Sequence, residues 1–199
     1  MMKNPLVYFH IATFLLSGKS RNLSEYWKAE VIMRDKFVLH RLIRNGVQRQ
    51  RGFLMWWRLA NEMFISGNKK QKQRKCAIKI KNALMERYGC DIGLGARIGK
   101  GLVLSHHAGI VIHGNVDIGE NVIIRQNTTI GEKVSDSRDN YIVIGDNVDI
   151  GAHTCIIGLN VKIGSNVKIG AMSFIMDDVP DNCTYVTRKE SRVIIREQS

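Results

Sequence analysis

Proline is missing from Ser24 to Arg87, so that stretch lacks the residue that most often breaks a helix. The four cysteines, Cys76, Cys90, Cys155 and Cys183, form no CxxC pair and no metal-ligand spacing. They read as reduced thiols of a cytoplasmic protein, with no metal expected. Neither a glycine-rich phosphate loop nor a Ser-His-Asp nucleophile pattern is present. A long hydrophobic run is lacking too. The apolar start, PLVYFHIATFLLSG, is too short to cross a bilayer as a helix. Only Lys3 precedes it and no small-residue cleavage pattern follows, which argues against a signal peptide. It reads as a docked or oligomer-forming helix, with peripheral membrane contact as the rival.

Acidic residues are scarce in the front part. Between Gly18 and Lys75 fifteen Lys and Arg face four acids, which is +11 of the formal +12, whereas the chain after Cys76 is balanced at fourteen of each. The excess points to an anionic partner for the front part. Nucleic acid is not expected, because no reading motif accompanies the charge.

What the chain has in abundance is a six-residue rhythm. Aliphatic residues return at Ile92, Ile98 and Leu104, then at Ile112, Ile118, Ile124 and Ile130, then at Ile144, Ile150 and Ile156, and last at Ile163, Ile169 and Ile175. Gly follows most of them, and small or β-branched residues such as Val116, Val122, Thr128 and Thr154 stand two positions earlier. A strict period of six suits neither an α-helix nor an alternating strand. It is the signature of a parallel β-helix, in which each short strand sends one aliphatic side chain inward before a turn. The rhythm breaks three times. Leu104 to Ile112 is two residues too long and holds His106-His107-Ala108-Gly109. Ile130 to Ile144 is eight too long and holds the polar EKVSDSRDNY. Ile156 to Ile163 is one too long. Insertions in repeat folds map to loops on a binding face, and the first carries side chains capable of chemistry.

The front part reads as helices: an apolar set from Leu23 to Ile32, a second run from Phe53 to Phe64 stopped by Ser66-Gly67-Asn68, and a third helix over Gln71 to Arg87. After Ile175 the rhythm stops, and Asp177 to Asn182 is expected to turn away from the coil towards a short final strand. The expected organisation is therefore a helical domain over 1-89, a left-handed parallel β-helix over 90-178, and a C-terminal tail over 179-199, an α+β chain.

Four motifs carry a resemblance: Asp91-Ile92, Ile98-Gly99-Lys100-Gly101, His106-His107-Ala108-Gly109-Ile110-Val111, and Gln126-Asn127-Thr128-Thr129-Ile130-Gly131. Over roughly residues 50 to 185 the chain resembles the serine acetyltransferase branch of the hexapeptide acyltransferases. Through the paired histidines, Ile124-Arg125-Gln126 and Val179-Pro180-Asp181-Asn182 it is more similar still to acetyltransferases of colanic-acid and capsule gene clusters. The resemblance implies His106 as general base. A histidine suits that task, since its ordinary pKa lies near 6.5. It implies Asp91 as the carboxylate that orients the base, although a junction aspartate bound to backbone N–H groups is the plainer alternative. His107 is given a supporting role and His113 a surface one.

The resemblance further implies acetyl-CoA as acyl donor, lying along a coil edge between neighbouring subunits of a homotrimer or a dimer of trimers. The turns Gly131, Gly151-Ala152 and Gly170-Ala171 would approach it. Two departures bear on the acceptor. Ser105 stands where the serine enzymes carry an aspartate, and Asn140-Tyr141 stand where they carry an Arg-His pair that engages the amino acid. Asp35, Arg58, Asn140 and Tyr141 are the expected acceptor-side residues. The expected reaction is O-acetylation of a saccharide, acidic or lipid-linked, in capsule or O-antigen synthesis. Serine O-acetylation is the alternative, and a catalytically silent scaffold is the rival of a different class.

Overall fold

A computed structural model of the chain describes residues 5–18, 20, 22–66, 72–132, 141–188 and 190. Among them, five α-helices come first: α1 (Pro5–Leu16), α2 (Leu23–Trp27), α3 (Leu39–Gly46), α4 (Arg49–Ser66) and α5 (Lys72–Tyr88). A π-helical segment, Lys28–Ile32, continues α2 directly. Short strands follow in chain order: β1 (Asp91–Ile92), β2 (Arg97–Ile98), β3 (Val103–Ser105), β4 (Val111–Ile112), β5 (Val116–Ile118), β6 (Ile123–Arg125) and β7 (Thr129–Glu132). After the long insertion come β8 (Ile142–Ile144), β9 (Asp149–Ile150), β10 (Cys155–Gly158), β11 (Lys162–Ile163), β12 (Lys168–Ile169), β13 (Phe174–Ile175) and β14 (Thr184–Tyr185).

All the pairings are parallel, and up to β13 every third strand falls in the same sheet. Sheet A is β1-β4-β7-β10-β13, sheet B is β2-β5-β8-β11, and sheet C is β3-β6-β9-β12-β14. This is a three-sided, left-handed parallel β-helix carrying a helical front part. The six-residue rhythm becomes three columns of stacked side chains. Ile92, Ile112, Ile130, Ile156 and Ile175 form one, Ile98, Ile118, Ile144 and Ile163 the second, and Leu104, Ile124, Ile150 and Ile169 the third. Each is at most 4% exposed, and a buried aliphatic side chain contributes about 1.5–3 kcal/mol. The columns are the core of the prism.

At the B-to-C vertex the first coil is closed by Gly101, φ +82°, and the later ones by a left-handed asparagine. Asn121, Asn147, Asn166 and Asn182 all have φ of 55–57°, and their amides bond one to the next at 3.3, 3.1 and 2.9 Å. The ladder reaches Asn182, so the segment after Ile175 does not turn away from the coil. Val179 bridges Ile163 on sheet B, and Thr184–Tyr185 pair with β12 on sheet C. The prism continues for most of another turn because Val179 and Tyr185 take over the inward positions while the six-residue spacing lapses. The apolar run Val193 to Ile195 lies outside the described residues.

Helix α4 fastens the front part to the first coil. Trp57 Nε1 donates to the Ile92 carbonyl at 3.0 Å, and Asn61 donates to the Ala96 carbonyl at 2.9 Å while accepting from Gly95 N–H at 2.8 Å. Between them Arg58 is only 2% exposed and donates to both oxygens of Glu30 and to the carbonyls of Ile98 and Gly99. Glu30, itself 6% exposed, also accepts the Leu102 N–H at 3.1 Å. A buried pair needs such additional bonds to offset the loss of hydration. No helix among the described residues is long and apolar enough to cross a membrane.

Candidate active site

Strand register shows where the first insertion enters the coil. Ser105 aligns with Arg125, and Val111 aligns with Thr129. The Ala108 carbonyl accepts the Asn127 N–H, as the Gln126 carbonyl accepts the His153 N–H and the Ala152 carbonyl the Met172 N–H. Ala108 therefore stands in one column with Gln126, Ala152 and Ala171 at the C-to-A vertex. Gly109, Asn127, His153 and Met172 form the next column, each left-handed. A Cβ at Gly109 would overlap the Asn127 side-chain oxygen, and its φ is +71°, so any other residue there would be strained and would have to displace the Asn127 amide. The two extra residues of this corner are His106 and His107 themselves.

The two histidines part company. His107 is 8% exposed and packs inward. Its ring stacks on Phe53 of α4 with centroids 6.3 Å apart at 12°, and meets Tyr88 of α5 edge-on at 5.3 Å. Phe53 and Tyr88 also touch each other at 5.7 Å. This aromatic cluster holds the inserted loop against the helices. The Gly109 N–H adds a bond to the Gly89 carbonyl at 2.7 Å, beyond the end of α5. His106 takes the left-handed conformation, φ 58°, and its ring is exposed. It opens on a cleft of about 460 Å³ whose helical wall includes Arg51, Arg87 and Tyr88. A solvent-accessible imidazole on a loop anchored by its neighbour is placed to accept a proton from a bound hydroxyl.

Asp91 opens sheet A at this same vertex, and its N–H bonds the Ile110 carbonyl at 2.9 Å. Its carboxylate is engaged by Lys81 Nζ at 2.6 Å rather than by His106. Its neighbour Cys90 is 2% exposed, and its thiol is pushed up to about 12, by burial first and by the Asp91 charge second. Cys90 is no nucleophile near neutral pH. No group of three His, Cys, Asp or Glu that could hold a metal occurs among the described residues.

The five residues expected along the acyl donor divide between two vertices. Gly151-Ala152 and Gly170-Ala171 follow β9 and β12 at the C-to-A vertex, running down the coil from the His106 loop. Gly131 lies in β7, at the A-to-B vertex. Ala152 and Ala171 place small side chains on this edge, below Gln126.

The acceptor-side expectations scatter. Asp35 lies on the rim of another hollow, among Arg34, Lys36 and Arg41. Arg58 is buried in its bonds to Glu30 and the coil, so it is a fastening of the fold and presents no donor to an acceptor. Tyr141 leads into β8, and its ring lies beside Arg97, 5.2 Å from centroid to guanidinium. A whole side of the prism separates it from His106 within one chain. Asn140 lies outside the described residues. Sequence reasoning missed Arg51 and Arg87. Their charge was visible in the basic front part, but nothing in the spacing of 51, 87 and 106 brings them together.

Comparison with known proteins gives one answer. Over 129 residues, 65% of this chain, the sequence is 40% identical to the mitochondrial serine acetyltransferase 3 of Arabidopsis thaliana, of which it covers 32%. Over 98 residues, 49% of this chain, it is 44% identical to the serine acetyltransferase of Staphylococcus epidermidis, of which it covers 46%. Among solved structures, that of Neisseria gonorrhoeae serine acetyltransferase in complex with serine matches with a TM-score of 0.72 and 30% identity, over 90% of this chain and 72% of that one. No protein-family model matches. The chain spans about a third of the length of the first curated relatives, which are 34–42% identical. These relatives overturn the expectation of a saccharide acceptor and of a kinship nearest to the capsule acetyltransferases. The kinship rested on the paired histidines, Ile124-Arg125-Gln126 and Val179-Pro180-Asp181-Asn182, and the acceptor on Asn140-Tyr141, Ser105 and front-part charge; 40–44% identity to serine enzymes outweighs those local features.

Proposed function

The chain belongs to the hexapeptide-repeat acyltransferase family that includes the serine acetyltransferases, and from that premise we infer that it transfers the acetyl group of acetyl-CoA to the hydroxyl of L-serine. The observation that carries the inference is the inserted pair at the C-to-A vertex. His107 is buried as an anchor, and His106 is left exposed between a helical cleft and the coil edge that carries Ala152 and Ala171. The cleft side suits an acceptor and the edge suits a donor. His106 lies where the two would meet.

Acetyl-CoA supplies the activated acyl group. The protein's part is positioning and proton transfer. His106 takes the hydroxyl proton as the oxygen attacks, and the resulting imidazolium returns a proton to the departing thiolate. Asp91, at the same vertex, is the carboxylate available to steady that imidazolium once Lys81 yields its place. A backbone N–H along the Gly151-Ala152 or Gly170-Ala171 turns is suited to receive the oxyanion. Gly131 and Tyr141, at the other vertex, reach the reaction only from a neighbouring copy, which favours a homotrimer or a dimer of trimers.

The test is acceptor-dependent thiol release from acetyl-CoA. L-Serine should give saturable release above the rate of hydrolysis. A rate no greater than hydrolysis at tens of millimolar serine would overturn the reading.

A further inference from the structure

We propose that Arg51 and Arg87 form the carboxylate clamp of the acceptor, in the cleft beside His106. The proposal rests on the serine reading above and supplies what that reading lacks, since the sequence carries Asn140-Tyr141 where an arginine is expected to hold the amino acid. Arg51 lies in the first turn of α4 and Arg87 in the last turn of α5. Both line the same cleft as His106.

What distinguishes them is their shared place on the cleft beside His106, with no acid among its described lining residues. Arg58, Arg97 and Arg125 are each neutralised, by Glu30, Asp117 and Asp149. Arg51 and Arg87 have no carboxylate partner among the described residues. Arg51 reaches the Met33 sulfur at 2.8 Å, a weak acceptor that leaves most of its donors unused. Arg87 stands 5.4 Å from the Tyr88 ring, which orients a guanidinium without neutralising it. Among the described residues no acid lines the cleft, and its wall also includes Gln48, between α3 and α4, and Gln50 of α4. Their amide oxygens can accept from an ammonium group while adding no charge. Two uncompensated planar forks converging on one hollow suit a carboxylate, which a guanidinium grips through two parallel bonds.

The phosphates of CoA are the other anion at hand. They lie at the far end of the pantetheine arm from the acyl group. The donor column runs from Ala108 through Gln126 and Ala152 to Ala171, down the coil and away from the helices. The cleft lies on the helical side of His106. An anion bound there is attached to the acceptor.

The experiment pairs kinetics with equilibrium binding on the full-length protein. Arg51→Gln, Arg87→Gln and the double variant are compared with wild type. L-Serine and L-serinamide, which lacks the carboxylate, serve as acceptors in the assay and as titrants in calorimetry. Each single change should raise the KM and Kd of L-serine about ten- to hundredfold, the loss of a charge-assisted bond. The KM of acetyl-CoA and the constants for L-serinamide should stay within about twofold, since no lost bond concerns them. Arg51→Lys and Arg87→Lys, which keep charge but lose the fork, should fall between. A rise in the KM of acetyl-CoA alone would assign the arginines to phosphate and overturn the clamp. Equal affinity of wild type and double variant for L-serine, or no measurable affinity of either, would also overturn it. A wild type that binds L-serine through these arginines but does not acetylate it would leave the clamp standing and sink the proposed reaction.

Discussion

The two adjacent histidines differ in almost every physical respect except identity. His107 loses its water to an aromatic cage of Phe53 and Tyr88, and His106 keeps it. The same substitution should therefore have opposite consequences at the two positions. His106→Ala removes a group that bears no packing, so turnover should fall by about two to four orders of magnitude while the melting temperature stays put. His107→Ala removes two ring contacts, each contributing about 0.5–1.5 kcal/mol, so the melting temperature should drop and the loop should loosen. Steady-state rates and thermal unfolding of both variants decide the matter. A fully active His106→Ala beside an inert but well-folded His107→Ala would exchange their roles.

At the scale of elements, the decisive junction is that between α4 and the first coil. It is polar rather than greasy: Trp57, Arg58 and Asn61 all bond backbone groups of the segment Ile92 to Gly99. Such bonds fix the angle and depth at which a helix meets a coil, and so place the cleft wall relative to His106. Arg58→Ala would leave Glu30 buried without its partner, at a cost of about 3–5 kcal/mol. Replacing both, as Glu30→Leu with Arg58→Met, should recover part of that, because no charge is then stranded; the carbonyls of Ile98 and Gly99 still lose their donor. Urea unfolding followed by circular dichroism measures both. A loss under about 1 kcal/mol in the single variant would mean that water reaches the pair and that the junction is held by packing alone.

For the whole molecule, the topology itself argues for assembly. One chain presents His106 and Ala152 at one vertex, and Gly131 and Tyr141 at another, with sheet A between them. Apolar side chains remain uncovered on sheet A, Val111 at 46% and Phe174 at 53% exposed, and on α1, where Leu6, Phe9 and Leu16 are 63%, 62% and 87% exposed. Copies that pack vertex to face would bury the sheet residues and complete the site. Light scattering should give three or six times 22.6 kDa. A monomer at micromolar concentration would sink the shared site and leave Gly131 and Tyr141 without a role in it.

The coil was legible in the sequence because its core is local. Within each of the four runs between Ile92 and Ile175 an inward residue stands six positions from the next, so the fold is written as a period and each of the three interruptions shows as a change in spacing. That is why the His106-His107 insertion is visible in the sequence, and why the end of the coil is not: Val179 and Tyr185 keep the inward positions after the spacing lapses. The acceptor could not be read in this way. Asp91 meets Lys81 from one helical turn of α5 facing it, Arg58 disappears beneath the coil because Glu30 lies in a π-helical turn, and Arg51, Arg87 and His106 share a cleft although 36 and 19 residues part them in turn. Helix packing brought those groups together, and no period in the chain records the angle at which helices pack.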